Sequence, residues 1–291
     1  MSTRIVYKAD CRHFRGDLPC IPHKREGVHC SECPHYEATD RNILIIKLGA
    51  LGDVVLAAPQ IARLLETHAT DRVTLLTAPD FRELLSGFHG LRVVTFKRKG
   101  LISMLGLLHW LLGQQFDVVY DLQGSLRSRM MTLLTQAQLR AGPAPALAYT
   151  HTTLSGNPHG HAFERFNAVL QAAGLDPAPA LPCLPDNAAA SARVDAWLQQ
   201  QGLTGRSLVL VHAGASQRWP SKRWPVEHFQ QLALLLESRG VVVVWLGGDA
   251  ERAVNSQLAA ETGIDATAVF SLVELVALGQ RAAFALSNDS G

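Results

Sequence analysis

Hydrophobic residues form short β-branched or aliphatic runs that alternate with longer stretches of helical periodicity from residue 42 onward. In the first half, the runs predict strands at 42–47, 72–77, 91–96 and 117–121, and the helical stretches predict helices at 54–67, 81–86, 101–113, 127–135 and 161–173. Strands that alternate with crossover helices are typical of a parallel sheet covered on both faces.

The same alternation restarts after a proline-rich stretch at 176–186, which we interpret as a stiff linker. Helices are predicted at 188–201, 226–239, 250–262 and 272–281, and strands at 207–211, 241–246 and 282–286. The pattern predicts a first Rossmann-like domain at 41–175 and a second at 187–291. Because a strand that ends in a small polar loop normally leads into a helix, we expect the second domain to be incomplete.

Composition limits the partners of the chain. Its 291 residues include 27 basic and 25 acidic side chains, so the formal charge is only +2 and any anion site must be local. The longest apolar stretch, 101–113, is shorter than the roughly 20 residues that cross a bilayer. The first ten residues lack the apolar core of an export signal, which predicts a cytoplasmic protein.

Four of the five cysteines lie within residues 1–40, together with four histidines and few aliphatic residues. The predicted metal ligands are Cys11, Cys20, Cys30 and Cys33. In a reducing compartment this clustering favours a structural zinc site over disulfides. A redox-active thiol pair, iron–sulfur ligation and unligated thiols are the alternatives.

The turn from Lys47 to Asp53 joins a predicted strand to a predicted helix, at the edge where open α/β sheets bind ligands. Gly49 and Gly52 permit close approach of the backbone to a ligand. Asp53 has two interpretations: it caps the following helix, or it is a carboxylate that takes a proton from a hydroxyl nucleophile. After another strand, Asp121, Gln123 and Arg127 lie near the same edge.

The second half contains three further loops suited to phosphate and ribose. Gly214 and Ser216 supply backbone and hydroxyl donors, while Lys222 and Arg223 supply positive charge. A glycine turn contains Gly247, Gly248 and Glu251, whose carboxylate either binds ribose hydroxyls or favours the helix start. The chain ends on Asp289, Ser290 and Gly291. Although tryptophans flank the basic residues, one short loop in a nearly neutral chain argues against nucleic acid.

Together these motifs resemble glycosyltransferase family 9, the heptosyltransferases of the lipopolysaccharide inner core, from residue 42 to the end. The resemblance implies a GT-B fold, with two Rossmann-like domains facing a cleft. It implies an ADP-sugar donor in the second domain, and a lipopolysaccharide core or glycolipid acceptor in the first. Residues 1–40 are an addition to the family pattern, and the family's continuation beyond Asp289-Ser-Gly291 is absent from the sequence.

Carried over residue by residue, the resemblance makes Asp53 the general base and Lys222 the catalytic cation that holds the leaving diphosphate. The donor would contact Gly214, Ser216, Arg223, Gly247, Gly248, Glu251 and 289–291. The acceptor would contact Gly49, Gly52, Asp121, Gln123 and Arg127. No cofactor is expected for catalysis, and peripheral attachment at the inner face of the membrane follows from the acceptor.

Two alternatives have different chemistry. A nicotinamide-dependent oxidoreductase is disfavoured because the glycines do not follow G-x-G-x-x-G and because both halves carry phosphate loops. A metal-stapled protein that binds a nucleotide sugar without transferring it is the non-enzymatic alternative.

Overall fold

The computed structural model describes Lys8 and residues 11–15, 18–97, 101–152, 160–180, 184–215 and 220–288. The chain divides into two compact units, Met1–Leu184 and Pro185–Gly291. The boundary therefore falls inside the proline-rich stretch 176–186.

The first unit is built on a parallel sheet whose six strands follow the order β3-β2-β1-β4-β5-β6. Its strands are β1 (Asn42–Ile46), β2 (Arg72–Thr77), β3 (Leu91–Thr95), β4 (Val118–Asp121), β5 (Leu139–Gly142) and β6 (His151–Thr152). Its helices are α1 (Ile21–Glu26), α2 (Leu51–Leu56), α3 (Ala58–Thr67), α4 (Arg82–Leu85), α5 (Leu101–Gln114), α6 (Leu126–Leu134) and α7 (Ala162–Ala172). This strand order is that of a Rossmann-type sheet.

The core of this unit lies on the central strands. All five residues of β1 are buried, as the continuous apolar run predicts for a strand covered on both faces. Leu107, Trp110 and Leu111 of α5 and Met131 of α6 join the side chains of β1 and β4 in one cluster. The inner faces of α5 and α6 are thus fixed against the sheet.

The single helix predicted over 54–67 is wrong in its start and in its continuity. The structure has two helices, because α2 ends at Leu56, Ala57 links them and α3 begins at Ala58. Pro59 lies in the first turn of α3, where its missing N–H costs nothing, whereas it would interrupt a continuous helix.

The second unit has a parallel sheet of four strands in the order β10-β7-β8-β9. The strands are β7 (Leu208–His212), β8 (Val242–Trp245), β9 (Ile264–Asp265) and β10 (Phe284–Ser287). The helices are α8 (Ala188–Gln200), α9 (Val226–Glu237), α10 (Arg252–Glu261) and α11 (Leu272–Gly279). Val209, Val211, Phe229 and Trp245 belong to its buried core.

The cysteine-rich segment packs against the first unit at the amino ends of its strands. Arg72, the first residue of β2, is buried and donates hydrogen bonds to the carbonyl oxygens of Cys11 and Phe14, each at 3.1 Å. Cys11 also forms an isolated antiparallel bridge with Ala38. The segment is therefore part of this unit rather than separate from it.

Among the described residues, no helix has both the length and the apolar character needed to cross a membrane.

Candidate active site

The turn that follows β1 joins a buried cation to an accessible carboxylate. The Lys47 side chain is 1% exposed, and its Nζ lies 3.4 Å from Oδ2 of Asp53, whose side chain is 38% exposed. The ammonium also lies 4.5 Å from the ring centroid of Phe166 in α7. Asp53 is thus held by a partner that solvent does not reach, while its own carboxylate remains open to a substrate.

The helix-capping interpretation of Asp53 is wrong. The N-cap of α2 is Ala50, and Asp53 lies inside the first helical turn, where no side chain accepts a capping hydrogen bond. A carboxylate at this position still benefits from the positive end of the helix.

Burial is the main influence on Lys47. Desolvation lowers the pKa of its ammonium below 10.5, and Asp53 and then Asp121 oppose that effect as neighbouring negative charges. The charged form of this lysine is therefore maintained by carboxylates rather than by water.

Asp121 holds the loop that follows β4. Its side chain is fully buried, and Oδ1 accepts hydrogen bonds from the backbone N–H groups of Gln123 and Gly124, both at 2.9 Å. The hydroxyl of Tyr149 donates to Oδ2 at 2.6 Å. Burial raises the pKa of Asp121, although these hydrogen bonds act in the opposite direction. These contacts hold the loop, and the geometry gives no support to the prediction that Asp121 touches the acceptor.

Gln123 links this loop to the Lys47–Asp53 turn. Its Oε1 accepts from the backbone N–H groups of Leu48 at 2.9 Å and Gly49 at 3.2 Å. Gly49 has a φ of 139°, a backbone conformation that favours glycine. The predicted site residues Gly49, Asp53, Asp121 and Gln123 therefore come together at the carboxyl edge of β1 and β4.

The two remaining acceptor predictions lie in open positions. A Cβ placed on Gly52 would have no atom within 4 Å. Arg127 lies exposed in the first turn of α6. Neither position shows what it binds, and both predicted contacts stay predictions.

In the second unit, two glycine turns are packed around one glutamate. A Cβ on Gly214 would lie 2.5 Å from Cγ of Glu251, and a Cβ on Gly247 would lie 2.7 Å from its Cβ. Oε2 of Glu251 accepts a hydrogen bond from the backbone N–H of Gly248 at 2.9 Å. The structure thus brings four of the predicted donor residues into contact.

The basic loop is attached to the same place through Asn288. The side-chain amide of Asn288 donates to the carbonyl oxygens of Ala213 at 2.7 Å and Gly214 at 3.1 Å, while its Oδ1 accepts from the backbone N–H of Trp224 at 2.9 Å. The guanidinium of Arg223 donates to the carbonyl of Ala215 at 2.9 Å. Lys222 lies exposed at the end of a short 3-10 helix in this loop. The predicted residues Ser216, Asp289, Ser290 and Gly291 lie outside the described residues.

The four predicted metal ligands are not gathered into one site. Within the described ranges, no group of three or more His, Cys, Asp or Glu side chains is placed to hold a metal ion. Cys11 is buried beside Ala38 and Arg72, whereas Cys30 begins a one-turn helix that Cys33 follows, and all four cysteines are free thiols. The described geometry does not fit the zinc site, which stays a prediction without structural support.

Sequence reasoning missed three residues that organise the site. Lys47, Tyr149 and Asn288 received no role, although each makes the contacts described above. Only Lys47 could have been found from the sequence. It directly follows the buried strand Asn42–Ile46, where a charged lysine is shielded from water and therefore needs a carboxylate nearby.

Comparisons with known proteins now decide the family. The family model of "Glycosyltransferase family 9 (heptosyltransferase)" matches residues 104–291, well over half of the chain. The chain belongs to glycosyltransferase family 9. It is therefore a glycosyltransferase, and its two parallel α/β units are those of the GT-B fold.

Individual relatives have low sequence identity to this chain but match most of its length. The lipopolysaccharide core heptosyltransferase OpsX of Haemophilus influenzae is 21% identical over 271 residues, which cover 89% of this chain and 76% of that protein. A family 9 glycosyl transferase from Veillonella parvula has a similar structure, with a TM-score of 0.76 and 21% identity over 87% of this chain and 76% of that one. The E. coli ADP-heptose lps heptosyltransferase II follows, with a TM-score of 0.67 and 20% identity over 86% of this chain and 79% of that one.

Proposed function

We propose that this glycosyltransferase moves a heptose, or a closely related sugar, from an ADP-sugar to a lipopolysaccharide core or similar glycan. The name of the E. coli ADP-heptose lps heptosyltransferase II supports the donor class, and OpsX supplies the acceptor class by its name. The observation that carries the chemistry is the accessible Asp53 carboxylate beside the buried Lys47 ammonium.

In the proposed reaction, Asp53 takes the proton of the acceptor hydroxyl as its oxygen attacks the anomeric carbon. The bond from that carbon to the diphosphate breaks, its electron pair leaves with ADP, and the configuration at the carbon inverts. Because negative charge grows on the diphosphate, a cation such as Lys222 stabilises the transition state more than the ground state.

We assign Lys47 the role of a positioning residue. It is too deeply buried to meet a substrate, but its ammonium lies 3.4 Å from the Asp53 carboxylate and holds it in place. The Phe166 ring also attracts the Lys47 ammonium, which is buried away from water.

We also propose that catalysis needs no metal ion. The loops at 211–225 and 246–252 contain no Asp-x-Asp pair for a divalent cation. The nearest carboxylates are already engaged, since Asp249 pairs with Arg252 and Glu251 accepts from Gly248.

Donor identity is tested by thermal unfolding of the chain with ADP, UDP, GDP or NAD. A ligand present at about 100 times its dissociation constant adds roughly 2.7 kcal/mol to the free energy of unfolding. We expect stabilisation by ADP, and a much smaller effect of ADP on the Lys222→Ala variant, because a charged hydrogen bond to phosphate is lost. Stabilisation by NAD instead of ADP would contradict the proposed donor.

A lipid-linked acceptor would bring the enzyme to a membrane surface. We therefore propose peripheral association with the inner face of the cytoplasmic membrane.

A further inference from the structure

Two neighbouring helices of the first unit expose an unusually apolar surface. We define the α5/α6 face by Met104, Leu105, Leu112, Leu126, Met130 and Leu133. Leu105 and Leu112 are each 56% exposed, and Leu126 is 77% exposed. Contiguous apolar surface of this kind marks an interaction site rather than ordinary surface variation.

The face is a regular product of helical periodicity. On α6, residues 126, 130 and 133 are spaced by four and three positions, which places them on one side of the helix. On α5, Leu105 and Leu112 share one side, and the inward residues Leu107 and Trp110 lie on roughly the opposite side. Because α5 and α6 pack against each other, their outer sides form one surface.

Basic residues outnumber acidic ones in the part of the sequence that carries this face. Between positions 84 and 163 the only acidic residues are Asp117 and Asp121, and Asp121 is fully buried. The basic residues in the same range are Arg92, Lys97, Arg98, Lys99, Arg127, Arg129 and Arg140. Of these, Lys97 lies exposed just before α5 and accepts a hydrogen bond at its carbonyl from Ser103, while Arg127 lies exposed next to Leu126.

We propose that the α5/α6 face docks on an anionic phospholipid surface, with its leucines and methionines among the acyl chains and its flanking basic residues at the phosphates. Apolar side chains with flanking cations are the composition of helices that lie in a membrane interface. The inference rests on the proposed function only in its reason for a membrane, and it identifies the surface that would meet it.

The test is sedimentation of the chain with vesicles of phosphatidylcholine alone or with added phosphatidylglycerol. We expect binding to the anionic vesicles, weakened by salt, and little binding to the neutral ones. The double variant Leu126→Ser, Met130→Ser should bind the anionic vesicles about tenfold less, because it removes apolar surface that would be buried.

A matched control comes from the second unit, where Leu234 and Leu235 of α9 are 45% and 50% exposed. The variant Leu234→Ser, Leu235→Ser should bind as the parent does. Unchanged binding of the α6 variant would overturn the proposal. A parent dimer that the α6 variant converts to monomer in sedimentation velocity would also overturn it, because the face would then join two copies of the chain.

The assay separates this inference from the proposed function. The assay contains neither sugar nucleotide nor acceptor. Absence of vesicle binding would therefore contradict the docking surface and would not contradict the proposed heptose transfer. The thermal unfolding transition of each variant, measured without ligand, should remain cooperative and close to that of the parent, which confirms that the variants are folded.

Discussion

The predicted sites of the two units are built in different ways. In the first unit, buried charges hold the turn: Lys47 and Asp121 are almost or fully enclosed, and only Asp53 reaches solvent. In the second unit, glycines packed on Glu251 and the neutral amide of Asn288 hold the loops, while Lys222 and Arg223 lie at the surface.

This difference matches the two kinds of chemistry. Proton transfer depends on the position of one carboxylate, which a buried ion-pair partner holds in place. Binding of a diphosphate depends on backbone approach and on cations that meet the ligand directly. We therefore expect substitutions that remove a charge to affect the first site most, and substitutions that add side-chain volume to affect the second site most.

The sharpest challenge to the first half of this comparison is Asp53→Ala. We expect turnover to fall about 10²–10⁴-fold, the usual contribution of a general base. Stabilisation by ADP should persist, because the proposed donor contacts belong to the other unit. Turnover of the purified variant at the parent's rate would remove Asp53 from the chemistry.

The enclosed carboxylate of Asp121 is tested by comparing Asp121→Ala with Asp121→Asn. Alanine leaves two backbone N–H groups and the Tyr149 hydroxyl without their acceptor, and each costs about 1–3 kcal/mol of unfolding free energy. Asparagine can accept from both N–H groups and donate to Tyr149, so we expect it to retain most of the stability.

A comparison of the parent with Asp121→Asn also gives a pH test. Because the pKa of Asp121 is raised above 3.8, the folded state keeps a proton that the unfolded state loses just above that pH. The carboxyl's contribution to the free energy of unfolding therefore falls as pH rises through this window. Denaturant titrations should show the parent losing stability relative to Asp121→Asn as pH increases, and a change of opposite sign would contradict the assignment.

Lys47→Met tests whether the enclosed cation acts on the base. We expect kcat to fall about tenfold or more, because the carboxylate loses the partner that holds it in place. The KM for the acceptor should change much less, since Lys47 is too buried to contact the acceptor. The control is Arg63→Met, which breaks the exposed Arg63–Glu66 ion pair. Its N–O distance of 3.3 Å is close to the 3.4 Å of the Lys47–Asp53 pair. A KM that rises as much as kcat falls would make Lys47 merely structural.

Two adjacent glycines test whether steric crowding against Glu251 matters in the second unit. Alanine at position 247 would place Cβ 2.7 Å from Cβ of Glu251, whereas alanine at 248 would meet that side chain only at 3.8 Å. We expect Gly247→Ala to lose about 1–3 kcal/mol of unfolding free energy through overpacking and to weaken stabilisation by ADP. Gly248→Ala should change stability by less than about 0.5 kcal/mol, and equal losses would show that crowding against Glu251 is unimportant.

Much of the architecture was readable from the sequence because strongly apolar strands such as β1 and β7 are flanked by helical periodicity. The strands β5, β6 and β9 were not predicted. Leu139–Gly142 carries an arginine and a glycine, while His151–Thr152 and Ile264–Asp265 have only two residues each, too few to show a pattern. Their strand character comes from pairing with a neighbouring strand, a long-range contact.

The site was readable to a different extent. Glycine turns after strands point to the correct loops, because the carboxyl ends of parallel strands share an edge. The partners of Asp121 and Gly214 were not readable, since Tyr149 and Asn288 are 28 and 74 positions away and no local pattern links them.

Arg72 connects the cysteine-rich segment to the far end of the sheet from Asp53. Its guanidinium is buried against the Cys11 and Phe14 carbonyls, and the amide of Gln114 donates to the Arg15 carbonyl at 2.9 Å. A protease that cut the chain between the segment and β1 would therefore yield two pieces that still migrate together under native conditions. Deleting the segment would instead remove two carbonyl acceptors of this buried arginine, and we expect a truncated protein prone to aggregation.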